Sequence, residues 1–155
     1  MSIAKMLKGH DLFQSLSFEE VETISSFAGL KEYEENETIF QSGVPATHFF
    51  VLQKGQVKLR LPAKAHEASL VVGRIGEGDV FGLSPLLGSG SNTTTAQCTE
   101  PTTVLAIEAE PLRSVLEANS PVGLRIMSTL AQAYFTRYVE TLKRLQKVVN
   151  EVAAV

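Results

Sequence analysis

The hydrophobic rhythm of the chain changes twice along its length. In residues 16–29, Phe18, Val21, Ile24 and Phe27 recur at intervals of three, the spacing of an amphipathic helix. Ser17 and Glu20 form a capping box at its start, Leu16 can staple onto Val21, and Gly29 is placed to close the helix in a left-handed cap. From residue 30 to about 108, short β-type runs replace this period, separated by turn residues every ~8–12 positions. Phe49, Phe50, Val51 and Leu52 make an unbroken apolar run, consistent with a buried strand. After Gly55, Val57, Leu59 and Leu61 alternate with Gln56, Lys58 and Arg60, which gives one apolar and one polar face. Glu35-Asn36, Ser42-Gly43-Val44-Pro45 and Gly76-Glu77-Gly78-Asp79 read as turns, and residues 62–68 as a polar connection. Further strands are predicted near 69–75, 80–81, 94–98 and 102–108. No helix of useful length fits between them, so the middle of the chain is antiparallel β.

Helical spacing returns in the last third. Pro111 sits in the first turn of a helix expected to stop near Asn119, and Ser120-Pro121 opens another as N-cap and first helical residue. After Gly123 neither Gly nor Pro intervenes up to about Asn150, which predicts a helix roughly 40 Å long. Its apolar stripe is Met127, Ala131, Tyr134, Tyr138, Leu142, Leu145, Val149 and Val152. Arg137, Glu140, Lys143, Arg144 and Lys147 are assigned to the opposite, solvated face. Packing on the chain's own β domain accounts only for the first half of that stripe. A second copy of the helix is the simplest cover for the rest, so a homodimer through residues 122–152 is expected.

Composition narrows the class. The 155 residues, 44% hydrophobic and 20% charged, suit one globular domain: N-terminal helices over 1–29, β structure over 30–108 and C-terminal helices over 109–155. The single cysteine, Cys98, excludes an intramolecular disulfide and reads as a small buried hydrophobe, which suits a reducing cytoplasm. The first residues lack the apolar core of a signal peptide, and no stretch approaches the ~20 apolar residues of a membrane span. The expectation is a soluble, cytoplasmic protein with no membrane partner. The net charge of −3 argues against a dedicated nucleic-acid binder. Residues 121–155 carry five Lys/Arg and two Glu, about +3, which reads as a solvated helix face.

Catalytic chemistry finds no constellation. His10, His48 and His66 are scattered without a second metal-type ligand at short spacing, and His48 reads as a structural histidine near the β interior. There is no nucleophile elbow and no phosphate-binding Gly-Lys loop. Glu77 and Asp79 sit on a glycine-rich turn that they more naturally shape than use for acid–base work. The expectation is not an enzyme.

The order of helix, antiparallel strands and long C-terminal helix resembles the cyclic-nucleotide-binding domain of the catabolite activator protein and related regulators. Ile39-Phe40-Gln41-Ser42-Gly43-Val44-Pro45-Ala46 and the run from Phe49 to Leu59 are similar to that family's first strands and glycine turns. Gly76-Glu77-Gly78-Asp79-Val80-Phe81-Gly82 resembles the approach to its phosphate-binding cassette, and residues 102–107 its closing strand. The resemblance spans about residues 10–145. It implies a mainly β fold with flanking helices: an antiparallel jelly-roll, or β-roll, followed by the long helix.

The cassette is where the chain departs from the family. Members that bind cyclic AMP follow the Phe-Gly with a Glu for the ribose 2′-hydroxyl, then, about ten residues on, an Arg for the cyclic phosphate. Here Leu83 stands at the Glu position and Asn92 or Thr93 at the Arg position. In one reading, neutral groups do the work: Gly82, Leu83, Ser84 and Leu86 of a short helix capped by Ser84, with Asn92, Thr93 and Thr94, hold a cyclic nucleotide or other small anion. Tyr134 and Tyr138, at the level where the family's long helix touches the base, are the candidates for stacking. In the other reading, the pocket has lost its ligand, Leu83 fills it, and the tyrosines belong to the dimer seam. Two lost charged contacts, each worth about 1.5–3 kcal/mol, weigh against tight binding of cyclic AMP or cyclic GMP. The family's transcription factors continue into a helix-turn-helix that this chain does not contain, so direct readout of nucleic acid is not expected. The resulting expectation is a stand-alone sensor or regulatory module, in which a ligand or a protein partner biases the packing of the cassette on a dimerising helix. The alternative is a ligand-free interaction scaffold.

Overall fold

The computed structural model describes residues 2–61 and 70–153, so the connection expected at 62–68, with His66, lies outside it. Among the described residues, helices α1 (Ile3–Gly9) and α2 (Phe18–Ser25) precede eight strands. These are β1 (Ala28–Tyr33), β2 (Thr38–Phe40), β3 (His48–Lys54), β4 (Val57–Leu61), β5 (Leu70–Ile75), β6 (Val80–Phe81), β7 (Thr95–Cys98) and β8 (Thr102–Glu108). Helices α3 (Ala109–Ala118) and α4 (Ser120–Ala153) complete the chain. The strands form two four-stranded antiparallel sheets, ordered β1-β8-β3-β6 and β2-β7-β4-β5.

Alternation along the central strands creates two cores. Phe50 and Leu52 of β3, with Val104 and Ala106 of β8, face the second sheet and meet Val57, Leu59, Ile75, Phe81, Ala96 and Cys98. The intervening Phe49, Val51, Leu105 and Ile107 face the helices and meet Leu7, Phe13, Val21, Ile24, Leu112, Ile126 and Leu130. The first sheet is therefore covered on both faces, which is why residues 49–52 read as one unbroken apolar run. Burial raises the Cys98 thiol above its ordinary pKa, consistent with a small interior hydrophobe.

The start of α2 follows its sequence signal. The Glu20 amide donates to Ser17 Oγ at 3.1 Å, and the Ser17 amide donates to Glu20 Oε1 at 2.8 Å. Its end does not. The helix stops at Ser25, where the Ser26 amide and hydroxyl satisfy its last carbonyls. Gly29 instead lies in β1, opposite Ala106, because early termination frees six residues to pair with β8. Phe18 is 72% exposed, since the first residue of α2 points away from the core. His10 ties the helices to the β structure. Its Nδ1 accepts from the Leu12 amide at 3.1 Å, so Nε2 carries the proton and donates to the Gly78 carbonyl at 2.7 Å.

Helix α4 has 34 residues and is therefore about 51 Å long, yet it buries only Gly123, Ile126 and Leu130. Its inward row continues through Ala133, Arg137 and Thr141, which are half-buried. That row lies one residue N-terminal to the apolar stripe seen in the sequence, a rotation of about 100°. Ala131, Tyr138, Leu142, Leu145, Val149 and Val152 of the stripe are exposed, and Phe135 extends it. No helix of the described residues is long and apolar enough to cross a membrane.

Gly123 sets the approach of α4 to α3. A Cβ there would run into the Leu116 carbonyl, and backbone on both sides leaves little room to yield. Gly123→Ala is expected to cost about 1–3 kcal/mol, the usual penalty of overpacking. Thermal unfolding followed by circular dichroism checks this, and an unchanged midpoint would show that the corner between α3 and α4 is not tight.

Candidate functional site

A cavity of about 470 Å³ opens where the chain leaves β6 beneath α4. Phe40, Leu59 and Val72 of the second sheet form its floor. Behind them the Phe50 and Phe81 rings stack at 5.1 Å, with Phe40 against both. Gly82 carries the backbone across this aromatic floor at φ 77°, and a Cβ there would stand 2.8 Å from the Phe50 ring. Only glycine meets both conditions without displacing the ring.

Beyond Gly82, Leu83 takes helical dihedrals and its amide donates to the Tyr134 hydroxyl at 3.0 Å. A single 3-10 turn, Ser84–Leu87, follows and closes at Gly88 with φ 79°. The cap therefore falls at Leu83 and not at the expected Ser84, and no side chain caps the turn. The turn begins one residue early because Leu83 is already helical when its amide meets Tyr134.

Of the residues singled out in the sequence, Gly82, Leu83, Ser84, Asn92, Thr93, Thr94, Tyr134 and Tyr138 line the cavity. Leu86 does not. It turns into the helical core, because in a 3-10 turn it falls on the side facing α3. Asn92 touches the cavity but is buried and occupied. Its amide nitrogen donates to the Val44 carbonyl at 3.2 Å, and its own carbonyl accepts from Gly43 at 2.8 Å. It clips the loop after β2 to the loop before β7. Thr95 reinforces that clip by accepting from the Ser42 amide at 3.0 Å.

Arg137 was assigned to the solvated face, and here the structure corrects the sequence. The side chain lies against the β structure, with Nη2 donating to the Val80 carbonyl at 2.6 Å and the guanidinium 4.6 Å from the Tyr134 ring centre. Helical periodicity alone places every charge on the outer face. Arginine, however, can lay its apolar stem on a surface and satisfy its head on a carbonyl. The available signal was position: Ile126, Leu130, Ala133, Arg137 and Thr141 form one helical row. Thr141 anchors the same row by donating to the Val72 carbonyl at 2.8 Å. Arg137 is the only charged residue on the cavity wall among the described residues.

Burial holds the Tyr134 phenol above its ordinary pKa of 10.0, and the Arg137 charge partly opposes that shift. Burial also lowers His48, with Lys31 adding to the effect and Glu108 opposing it; Thr47 Oγ1 stands 2.8 Å from Nδ1. The Glu77 and Asp79 carboxylates serve the turn. Asp79 accepts from the Gly76 amide at 2.9 Å and Glu77 from the Gly55 amide at 3.4 Å. Among the described residues no group of three His, Cys, Asp or Glu is arranged to hold a metal ion.

The segment that holds the strands and the glycine-led turn matches a known family. The model of the cyclic nucleotide-binding domain fits residues 30–119. The chain belongs to the cyclic nucleotide-binding domain family. A protein named cyclic AMP receptor protein from Thermus thermophilus is 28% identical over 127 residues, 81% of this chain and 58% of that relative. The chain thus spans little more than half the length of that protein. A solved protein of Geobacter metallireducens GS-15 superposes with a TM-score of 0.76 at 26% identity, over 89% of this chain and 99% of that one. The sensor domain of the transcriptional regulator DNR from Pseudomonas aeruginosa shares the fold, with a TM-score of 0.72 at 21% identity over 83% and 91%. In this cyclic nucleotide-binding domain the cassette side of the cavity carries no charged side chain among the described residues.

Tyr134→Phe removes the acceptor for the Leu83 amide. It is expected to cost about 0.5–1.5 kcal/mol and to speed amide exchange at Leu83. The raised phenol pKa also sets a pH dependence. Its contribution is fully present below the unfolded value near 10 and is lost as pH climbs through the higher folded value. Denaturant titrations between pH 8 and 11 should show stability falling above pH 10, less steeply in Tyr134→Phe. Identical alkaline slopes would place the titration elsewhere.

Proposed function

We propose that this domain is a regulatory ligand sensor in which occupancy of the cavity changes how the cassette turn packs on α4. The observation that carries the reading is the hydrogen bond from the Leu83 amide to the Tyr134 hydroxyl. It joins the wall that replaces the family's phosphate cradle directly to the long helix. A ligand entering between Leu83, Thr93 and Tyr138 competes with that bond or reinforces it, so the same few atoms sense occupancy and position the helix. The candidate site is Gly82, Leu83, Ser84, Thr93, Thr94, Tyr134 and Tyr138. A cyclic nucleotide is the first candidate ligand, by family. No catalytic role is assigned.

The output is the free half of α4. Beyond Thr141 its apolar stripe carries Leu142, Leu145, Val149 and Val152 in the open. The row that packs on the body is a different one, so the stripe is not consumed within the monomer. A second copy paired through residues 122–152 covers it, and the ligand-set angle of α4 is read as a change in dimer geometry. The competing reading is a ligand-free scaffold. What favours it is that the Leu83 amide already has its acceptor in Tyr134 and that Asn92 is committed to Val44.

A thermal-shift panel of cyclic AMP, cyclic GMP and cyclic dinucleotides, with calorimetry on any hit, separates the two. The sensor reading expects a ligand that raises the melting midpoint in the wild type, with a changed response in Tyr134→Phe. No shift with any compound at millimolar concentration supports the scaffold. Sedimentation at micromolar concentration checks the output. The wild type should be dimeric and Leu145→Glu monomeric, and a monomeric wild type removes the dimer from the mechanism.

A further inference from the structure

We infer that Arg137 is the anion anchor of the cavity and that the ligand is a small amphipathic monoanion, one oxyanion on an apolar body. This rests on the ligand-sensor reading and names the chemistry of what is sensed.

The guanidinium is held on two sides and left unfinished on a third. Nη2 donates to the Val80 carbonyl, and one side of the head stacks near the Tyr134 ring. Nη1 is buried and has no hydrogen-bond partner among the described residues. A buried cationic donor without an acceptor is costly, and a turn of the head toward the cavity, whose wall Arg137 forms, lets a bound oxyanion supply the acceptor and the countercharge together. No side chain among the described residues does so. Asp79 and Glu140 border a neighbouring cleft that Arg137 also touches, yet neither forms an ion pair with it. Arg113–Glu117 on α3 is the only ion pair among the described residues.

The remaining walls define the rest of the ligand. With one positive group and no carboxylate lining the cavity among the described residues, a single negative charge is matched and a second is not. Phe40, Leu59, Val72 and Leu83 offer apolar surface, and the Leu83 side chain has no acceptor for a ribose hydroxyl. The anion site has therefore moved from the cassette to the helix, where binding acts on α4 itself. A carboxylate and a phosphodiester share this chemistry.

The test is calorimetry on the full chain with 2-naphthoate, its uncharged amide and cyclic AMP, using wild type, Arg137→Gln and Arg137→Lys. Gln keeps a neutral donor for the Val80 carbonyl and removes the charge, while Lys restores charge without the fork. At least one of the two anions should bind the wild type, weaken by about tenfold to a hundredfold in Arg137→Gln and partly recover in Arg137→Lys. Binding of the amide should be the same in all three. Naphthoate alone identifies a carboxylate, cyclic AMP alone a phosphodiester. Binding of neither anion to the wild type overturns the inference, as does equal affinity in wild type and Arg137→Gln. A nucleotide that binds Arg137→Gln as tightly as wild type leaves the sensor standing and removes only the anchor. If Arg137→Gln does not fold, Arg137→Lys decides by the same comparison, since loss of the bidentate fork should weaken either anion relative to the amide.

Discussion

The middles of strands β3 and β8 have no solvent face, and much of the rest of the molecule follows from having to cover them twice. Each buried Phe, Leu or Val side chain contributes about 1.5–3 kcal/mol when fully withdrawn from water, so neither face can be left open. One face is covered by the second sheet, which closes the roll and places Phe50 and Phe81 at its mouth. The other is covered by α1–α4, which brings the first half of α4 across the exit of β6. The cavity is the gap left where these two coverings meet. Its position is a consequence of topology, while its chemistry is set by a few side chains.

The packing of α4 weakens along its length. Ile126 and Leu130 are held by core burial, and the next anchors are polar: Arg137 on the Val80 carbonyl in one sheet, Thr141 on the Val72 carbonyl in the other. A charged hydrogen bond contributes about 1.5–3 kcal/mol and a neutral one about 0.5–1.5 kcal/mol. These are the energies that a small ligand can match by binding one arrangement better than another. Control of the helix by occupancy is physically reasonable because its middle is tethered by bonds of this size and not by a continuous core.

Backbone geometry sets the shape of the turn after β6 independently of any charge on it. Gly82 still carries the chain over the aromatic floor, and Gly88 still closes the following turn. The Leu83 amide at the head of that turn is satisfied by a phenol from the helix. The polar loop residues opposite divide between architecture and surface, with Asn92 clipping two loops together and Thr93 and Thr94 facing the cavity.

The amino-acid sequence by itself determined the elements and their order. A capping box, alternation after Gly55 and an apolar run at residues 49–52 each follow from local stereochemistry and the periods of helix and strand. The turn after β6 was legible for the same reason, since glycine is demanded by backbone geometry at Gly82. Tertiary structure alone decided what depends on competition between elements. Pairing with β8 claimed Gly29 for a strand, the turn carried Leu86 into the helical core, and the side of α4 facing the roll was rotated by one residue from its most apolar stripe. Arg137 is the clearest case. A charge in a periodic sequence is read as solvated, and only the carbonyl of Val80, brought there by a strand 57 residues earlier, makes an inward arginine the lower-energy arrangement.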